Sequence, residues 1–313
     1  MAIGPFTACT SDEDRTPADS DGRVPLRIAA GIDGMPLALT RAVETAWEAN
    51  DQIGVFMTAR NNASTLYADA DGTEGDNMKY TFDDGANYET YGNTYRLFTP
   101  NSKKIYLSSD PVDVYGYYPY AATKRDGTTA LDPTAIEIDV SSQTSQKAID
   151  LMRARTGNVN NEDAAIELLF QHRLVKLEFN LKQGEGLLPE ELKDASYLGM
   201  TIGGQPVTAT YNIYTDAFTI EAGNHTITPV RASSAPTGYV RTFEAIVLPN
   251  GVNNPAESRT VTITFYQKEK DIITNTFTIS SGTYFNPGYK YVYNVTVNAT
   301  SIQVSSDKYT EQW

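Results

Sequence analysis

Histidine-based catalysis needs an imidazole held beside a nucleophile or a carboxylate, and this chain offers two candidates, His172 and His225. Each falls in or beside a stretch of strand-like alternation, and no Gly-x-Ser-x-Gly elbow accompanies either. His172, where one half of the chain passes into the other, is expected to pack and hydrogen-bond at that junction. The single cysteine, Cys9, excludes a disulfide within the chain and any cysteine-based metal site. Glycoside hydrolysis needs two carboxylates at a set separation, and 39 acidic residues give no way to choose a pair. The run Asp69-Ala-Asp-Gly-Thr-Glu-Gly-Asp76 alternates oxygen ligands with turn residues as a calcium loop does. With Asp69 as first ligand, however, Glu74 stands where the sharp-turn glycine belongs and Tyr80 where the closing glutamate belongs. A solvated turn is the better reading. Tyr88, Tyr95, Tyr115, Tyr117, Tyr118 and Tyr120 offer rings that stack on sugars, but at alternating strand positions they read better as core and rim. Phosphate loops, dinucleotide glycine signatures and zinc spacings are missing from the sequence. No catalytic residue, cofactor site or metal ligand is therefore assigned, and the chain is not expected to be an enzyme.

The elements around these residues read as strands. Net charge is −14, so the average field repels phosphate backbones, and nucleic acid is not an expected partner. No apolar run approaches the roughly 18 residues of a membrane helix. Twenty tyrosines and abundant Thr and Asn suit strands better than helices. Leu26, Ile28, Ala30 and Ile32 alternate across residues 24–32 and predict a short strand, despite Pro25 near its start. The run 51–57 has buried-strand character, and 104–108, 111–118 and 135–140 are further strand candidates. Asp- and Gly-dense stretches at 69–76 and 83–87 read as turns.

In the second half, Val175, Leu177, Phe179 and Leu181 form one face against Lys176, Glu178 and Asn180, the pattern of a half-buried strand. A short helix is expected at 188–193. Strands follow at 197–202, 207–211, 218–221, 239–248, 259–267, 272–279 and 289–298, with a final short segment from Ile302. Gly203-Gly204 and residues 268–271 supply hairpin turns. The pattern predicts an all-β protein of two β-sandwich domains in tandem, residues 24–164 and 165–313, behind a tether over 1–23.

Phe6-Thr-Ala-Cys9 has the form of a bacterial lipobox, in which small residues admit a signal peptidase to a cysteine that is then acylated. The basic and apolar regions of a signal peptide are mostly missing before it, which implies a truncated or misplaced start. The acidic stretch that follows reads as a spacer, so Cys9 is the expected lipid anchor point.

Several pieces in order carry a wider resemblance: Cys9, the strand 24–32, Thr40-Arg41-Ala42, and Trp47 followed by Asn50-Asp-Gln-Ile-Gly-Val-Phe-Met57. Later come Val112-Asp-Val-Tyr-Gly-Tyr-Tyr-Pro-Tyr120, Leu169-Phe-Gln-His-Arg-Leu-Val-Lys-Leu177, and a Tyr-rich strand, short strand and Trp313 at the end. Together they resemble the fimbrillin lipoproteins, the type V pilins that form or anchor surface pili of anaerobic gut and oral bacteria. The resemblance implies two transthyretin-like sandwiches and export as an outer-membrane lipoprotein. It further implies cleavage by a trypsin-like protease after an arginine in the loop beyond the first strand, a position matched by Arg41-Ala42. Loss of the strand bearing Leu26, Ile28, Ala30 and Ile32 would then open a groove for a strand from another fimbrial subunit, and head-to-tail addition would build an adhesive filament. The segment after Asn298 is a candidate donor, with Ile302 and Val304 its apolar content. Two alternatives stay open: a pilus anchor that keeps its lipid and first strand, and a lipid-anchored glycan-binding protein that does not polymerise.

Overall fold

A computed structural model describes residues 25–33, 46–90, 93–101, 104–163, 165–193, 198–250, 258–266 and 272–313. The first half contains β1 (Ile28–Ile32), β2 (Gln52–Ala59), β3 (Asn62–Leu66), β4 (Met78–Thr90), β5 (Asn93–Pro100), β6 (Val112–Tyr118) and β7 (Ile136–Asp139). One helical turn, α1 (Gln146–Ile149), precedes β8 (Met152–Val159), β9 (Ile166–His172) and β10 (Val175–Gln183). After a 3-10 turn at Pro189–Glu191 come β11 (Gly199–Gln205), β12 (Thr208–Asn212), β13 (Ala217–Ile220), β14 (His225–Ile227), β15 (Val230–Arg231) and β16 (Arg241–Val247). The chain ends with β17 (Arg259–Tyr266), β18 (Ile272–Ile279), β19 (Tyr289–Val297) and β20 (Ile302–Gln312). The protein is all-β.

The first sheet runs β3-β2-β4-β5-β1-β9-β8-β6, and a further β2–β6 pairing closes it into a ring. Inside lie Ile28, Ile53, Val55, Met57, Tyr80, Phe98, Val114, Leu168 and Phe170, all sequestered from water. Strand side chains alternate between faces, so a strand buried at every position needs a core on each side. β6 is such a strand: Val112, Val114 and Tyr118 point into the ring, while Tyr115 and Tyr117 join a second core with Leu174, Leu177 and Phe179. β2 does the same, with Ile53, Val55 and Met57 inside and Phe56 outside. The two halves therefore share apolar packing through the outer faces of β2 and β6.

In the second half, β10 lies between β16, antiparallel, and β19, parallel, in a sheet ordered β15-β16-β10-β19-β20. β1 holds the same relation to its neighbours, antiparallel to β5 and parallel to β9. A four-stranded sheet, β14-β11-β17-β18, and a three-stranded one, β13-β12-β7, complete the fold. β7 comes from the first half yet pairs with β12, and β9 lies beyond the expected 164/165 boundary yet pairs with β1 and β8.

Several local expectations change. Residues 83–87 continue β4, and the surplus length is absorbed as a register shift between Phe82 and Asn87. Gly203-Gly204 lies inside β11, where the register slips between Ile202 and Gln205 and Gly204 takes φ +78°. Residues 104–108 form no strand, although Ile105 is buried and its carbonyl accepts the Leu26 N–H at 2.9 Å. The helix expected at 188–193 reduces to the 3-10 turn. The polar face of β10 is covered as well: Lys176 and Asn180 are buried, held by Glu244 at 3.3 Å and by the Thr242 hydroxyl at 2.6 Å. β3, β4, β5, β8, β9, β14 and β15 have no counterpart among the expected strands. Asp69 closes its own turn, its carboxylate accepting N–H groups from Asp71, Thr73 and Tyr106.

Gly54 in β2 lies directly against the ring of Tyr117 in β6. A Cβ built there would lie 2.0 Å from Tyr117 Cε1, and Tyr117 cannot swing away, because its hydroxyl bonds to Asn77 Oδ1 and the Ala121 carbonyl. Gly54→Val is expected to lower unfolding free energy by about 1–3 kcal/mol or more through overpacking. Gly199→Ala, where an added methyl meets nothing within 4 Å, is expected to be near neutral, and urea titration of the pair measures the difference.

Candidate assembly site

β1 is the shortest stave of the closed ring and is gripped on both edges. Toward β5 the register sets Ile28 opposite Phe98, Ala29 opposite Leu97 and Ala30 opposite Arg96. Toward β9 it runs from Ile28 opposite Ile166 to Ile32 opposite Phe170. The pairing extends past the strand at each end, since Ile166 N–H donates to the Arg27 carbonyl at 2.9 Å and Asp33 N–H to the Phe170 carbonyl at 2.7 Å. Pro25, which has no N–H, and the Leu26–Ile105 bond explain why the strand begins at Ile28 and not at 24.

Leu26, Ile28, Ala30 and Ile32 all enter the ring core. Burying Leu26, Ile28 and Ile32 contributes about 5–9 kcal/mol by transfer free energies of about 1.5–3 kcal/mol per side chain. The opposite face is built from small residues because neighbours crowd it: a Cβ on Gly31 would meet Tyr95 at 3.1 Å and Leu169 at 3.4 Å. Removing β1 would thus uncover apolar side chains and two rows of backbone groups, each row costing about 1–3 kcal/mol per group left buried without a partner.

Trp47 is the clamp on this strand. The pairing with β5 stops at Ala30, and there the Trp47 indole N–H donates to the Ala30 carbonyl at 3.1 Å. Its ring meets Phe98, Tyr118 and Phe170 edge to face at 5.1–5.5 Å. Beside it lies a cavity of about 210 Å3, lined in part by Ile32, Trp47, Tyr118, Met152, Ile246 and Trp313. Lys147 closes one side through ion pairs with Glu48 and, at 2.8 Å, with Asp51. Burial opposes the Lys147 charge, but the hydrogen bonds the ammonium donates to those two carboxylates outweigh it and hold the group above its ordinary value. Burial, and after it the charge of Asp51, push the Tyr118 phenol up.

His172 ends β9 and does pack at the junction: it is buried, its Nδ1 lies 2.9 Å from Asp150 Oδ1, and Trp313 stacks on it with centroids 4.3 Å apart. Trp313 is pinned further by its N–H to the Gly288 carbonyl at 2.9 Å. His225 is exposed in β14, far in sequence from any such arrangement. Tyr115, Tyr117 and Tyr118 are buried and present no stacking face, and Tyr95 and Tyr120 are half-buried. Cys9, Arg41 and Ala42 lie outside the described residues. Ile32 and Ala46, on either side of residues 34–45, line the same cavity. Trp47 is the packing residue at this strand that residue-type reasoning understated. Its signal was a tryptophan, one of two in the chain, inside a polar stretch just before a buried strand.

Comparison with known proteins identifies the family. The fimbrillin-like family model matches residues 40–313. The chain is 31% identical over 316 residues to Fim1C of Bacteroides uniformis, named as a fimbrium subunit, covering 97% of this chain and 90% of that protein. A crystal structure described as a cell adhesion protein from Bacteroides uniformis superposes with TM-score 0.65 at 28% identity, covering 92% of this chain and 97% of that one. A second, from Bacteroides ovatus, shares the fold with TM-score 0.63 at 20% identity, covering 93% and 98%. The chain belongs to the fimbrillin-like family of fimbrial subunits, structural proteins of the cell surface.

Proposed function

We propose that this subunit is exported as a lipoprotein acylated at Cys9 and cleaved after Arg41 by a trypsin-like protease. It then joins other fimbrial subunits by accepting a strand in the place of β1. The observation that carries this reading is the position of β1, hydrogen-bonded on both edges and buried, yet linked to β2 only through the segment that contains Arg41. Cleavage there severs the strand from the rest of the chain without cutting any described strand. The vacated place would then expose unpaired edges of β5 and β9 above an apolar floor, which a strand of alternating apolar residues satisfies on both counts. Strand addition from one subunit to the next is heterologous and propagates head to tail, as an adhesive filament requires. Two transthyretin-like sandwiches in tandem complete the proposal, with the boundary moved to Arg173-Leu174, since β9 pairs inside the first ring and β10 inside the second half.

Limited trypsin digestion tests the cut. Exposed Arg60 and Arg125 compete with Arg41, so fragments are identified by mass and N-terminal sequence. Cleavage after Arg41 is expected first, and the clipped protein, once freed of residues 1–41 in mild denaturant, should bind a peptide spanning residues 24–32. The same peptide with Ile28→Asp should bind at least about 100-fold more weakly, because it would bury a carboxylate in the apolar floor. A clean cut that leaves a monomer unable to take up either peptide would defeat strand addition and favour the permanent anchor or the non-polymerising binding protein.

The lipid claim has its own measurement. Metabolic labelling with palmitate in cells should mark the wild type and leave Cys9→Ala unlabelled; equal labelling of both would remove the lipoprotein step while leaving the strand argument intact.

A further inference from the structure

β18 is an edge strand with the properties that solvent-exposed edges ordinarily avoid. It is the last strand of the sheet β14-β11-β17-β18, and its other edge pairs with nothing among the described residues. All eight of its residues, Ile-Ile-Thr-Asn-Thr-Phe-Thr-Ile, are in continuous register with β17, from Ile272 opposite Tyr266 to Ile279 opposite Arg259, without a bulge. It holds no charge, no proline and no glycine. Unguarded edges of this kind are templates for another strand. The other free edges differ. β7 and β13 are four residues long, β14 three and β15 two, β3 is five residues long and begins at a register break, and β20 carries Asp307, Lys308 and Glu311 in its sequence.

The sequence of β18 also says what fits it. In an antiparallel pair, residues directly opposite share a face. Thr274, Thr276, Thr278 and Ile272 are exposed, with Ile272 67% so, while Ile273, Asn275 and Phe277 are half-buried and turn toward the core. If a second β18 is laid antiparallel with the two-fold axis at Asn275, Ile273 faces Phe277 on the inner side and Asn275 faces its own copy. On the outer side Thr274 faces Thr276 and Ile272 faces Thr278. The inner apolar pair, the amide pair and the Thr pair are matched in kind, and Ile272 meets the β-branched, methyl-bearing Thr278. Moving the axis to Thr274 or Thr276 sets Asn275 against Ile273 or Phe277, and moving it to Phe277 sets Asn275 against Ile279. Asn275 Nδ2 already donates to the Asn298 carbonyl at 3.3 Å, which turns the amide in one fixed sense and leaves its oxygen and second N–H for the opposing amide.

We propose that β18 is a homotypic docking edge, at which a second copy of this chain adds its own β18 antiparallel about Asn275 and merges two four-stranded sheets into one of eight. The contact is isologous and stops at two copies, unlike the propagating strand addition at β1, and it does not rest on that reading. In a surface assembly it ties subunits side by side, not end to end.

The test uses the full chain carrying Arg41→Ala, so that no cut at Arg41 contributes. Sedimentation velocity across micromolar to high-micromolar concentrations should show a reversible monomer–dimer equilibrium and no larger species. Thr274→Lys with Thr276→Lys places like charges opposite one another twice across the axis, at exposed positions that leave the fold intact by circular dichroism. It should weaken the dimer at least about tenfold. Thr274→Glu with Thr276→Glu should do likewise, and an equimolar mixture of the two variants should recover a one-to-one heterodimer. The proposal is overturned if the Arg41→Ala chain stays monomeric to its solubility limit, if the lysine variant dimerises as well as that parent chain, or if the mixed variants fail to pair. Oligomers that grow beyond two and persist in the lysine variant would also overturn it.

Discussion

Backbone N–H and C=O groups removed from water need partners, and the rest of this structure depends on how that need is met at β1. The ring of the first half closes only because β1 bridges β5 and β9. Its side chains complete the floor of the ring core, and its carbonyl at Ala30 anchors Trp47, whose ring in turn meets Phe98, Tyr118 and Phe170. The ladder that β1 completes does not depend on which side chains it carries. Any extended segment with the same alternation meets the same hydrogen-bonding groups, because ladder bonds do not read side chains. What the pockets beneath select is apolar residues at every second position.

The strand exchange proposed above requires that the rest of the ring not collapse when the place is empty, and the double burial of β2 and β6 would supply that resistance. Their outer residues, Phe56, Tyr115 and Tyr117, are packed against the second half, so these strands stay fixed by a core that does not include β1. Arg153 and Arg173 add polar ties across the same junction, the first donating to the Ile213 carbonyl at 2.7 Å and the second pairing with Asp216 at 2.8 Å. The stacked His172 and Trp313 fasten the last residue of the chain to the end of β9. The second half thus acts as a brace for the first.

How much of this was legible follows from which forces decide each element. β10, β17, β18 and β19 were readable because side-chain alternation or apolar runs matched their place in a sheet. The alternation of Leu26, Ile28, Ala30 and Ile32 likewise named the core face of β1. β4 was hidden because Asp83, Asp84 and Gly85 favour turns locally, whereas the strand is held by pairing with β2 and β5 across a bulge. β8, Met-Arg-Ala-Arg-Thr-Gly-Asn-Val, carries too much charge to announce itself, and β6 supplies its ladder. The burial of Lys176 and Asn180 was invisible for a related reason: their partners, Glu244 and Thr242, are more than sixty residues away in the chain. Trp47 could be noticed but not placed, since its hydrogen bond to Ala30 exists only once β1 is in the ring.

On the proposed strand addition, one asymmetry bears on why β1 and not β10 is the strand replaced. β10 occupies in the second half the position that β1 occupies in the first, between an antiparallel and a parallel neighbour, and an arginine, Arg173, stands just before it. That arginine is unavailable to a protease: its guanidinium is bound by Asp216 and by the Gln171 side chain, its N–H donates to the Leu151 carbonyl at 2.8 Å, and Leu174 beside it is fully buried. Extending eight residues of a protease substrate through that site would require breaking the junction between the halves. β1, by contrast, is followed by residues 34–45, and its own end and the resumption of the chain at Ala46 meet at one cavity. On the proposed cut after Arg41, the two corresponding strands differ in the one respect that matters for assembly: the arginine before β10 is locked into the junction between the halves, whereas the one after β1 lies in the connection that ends at this cavity.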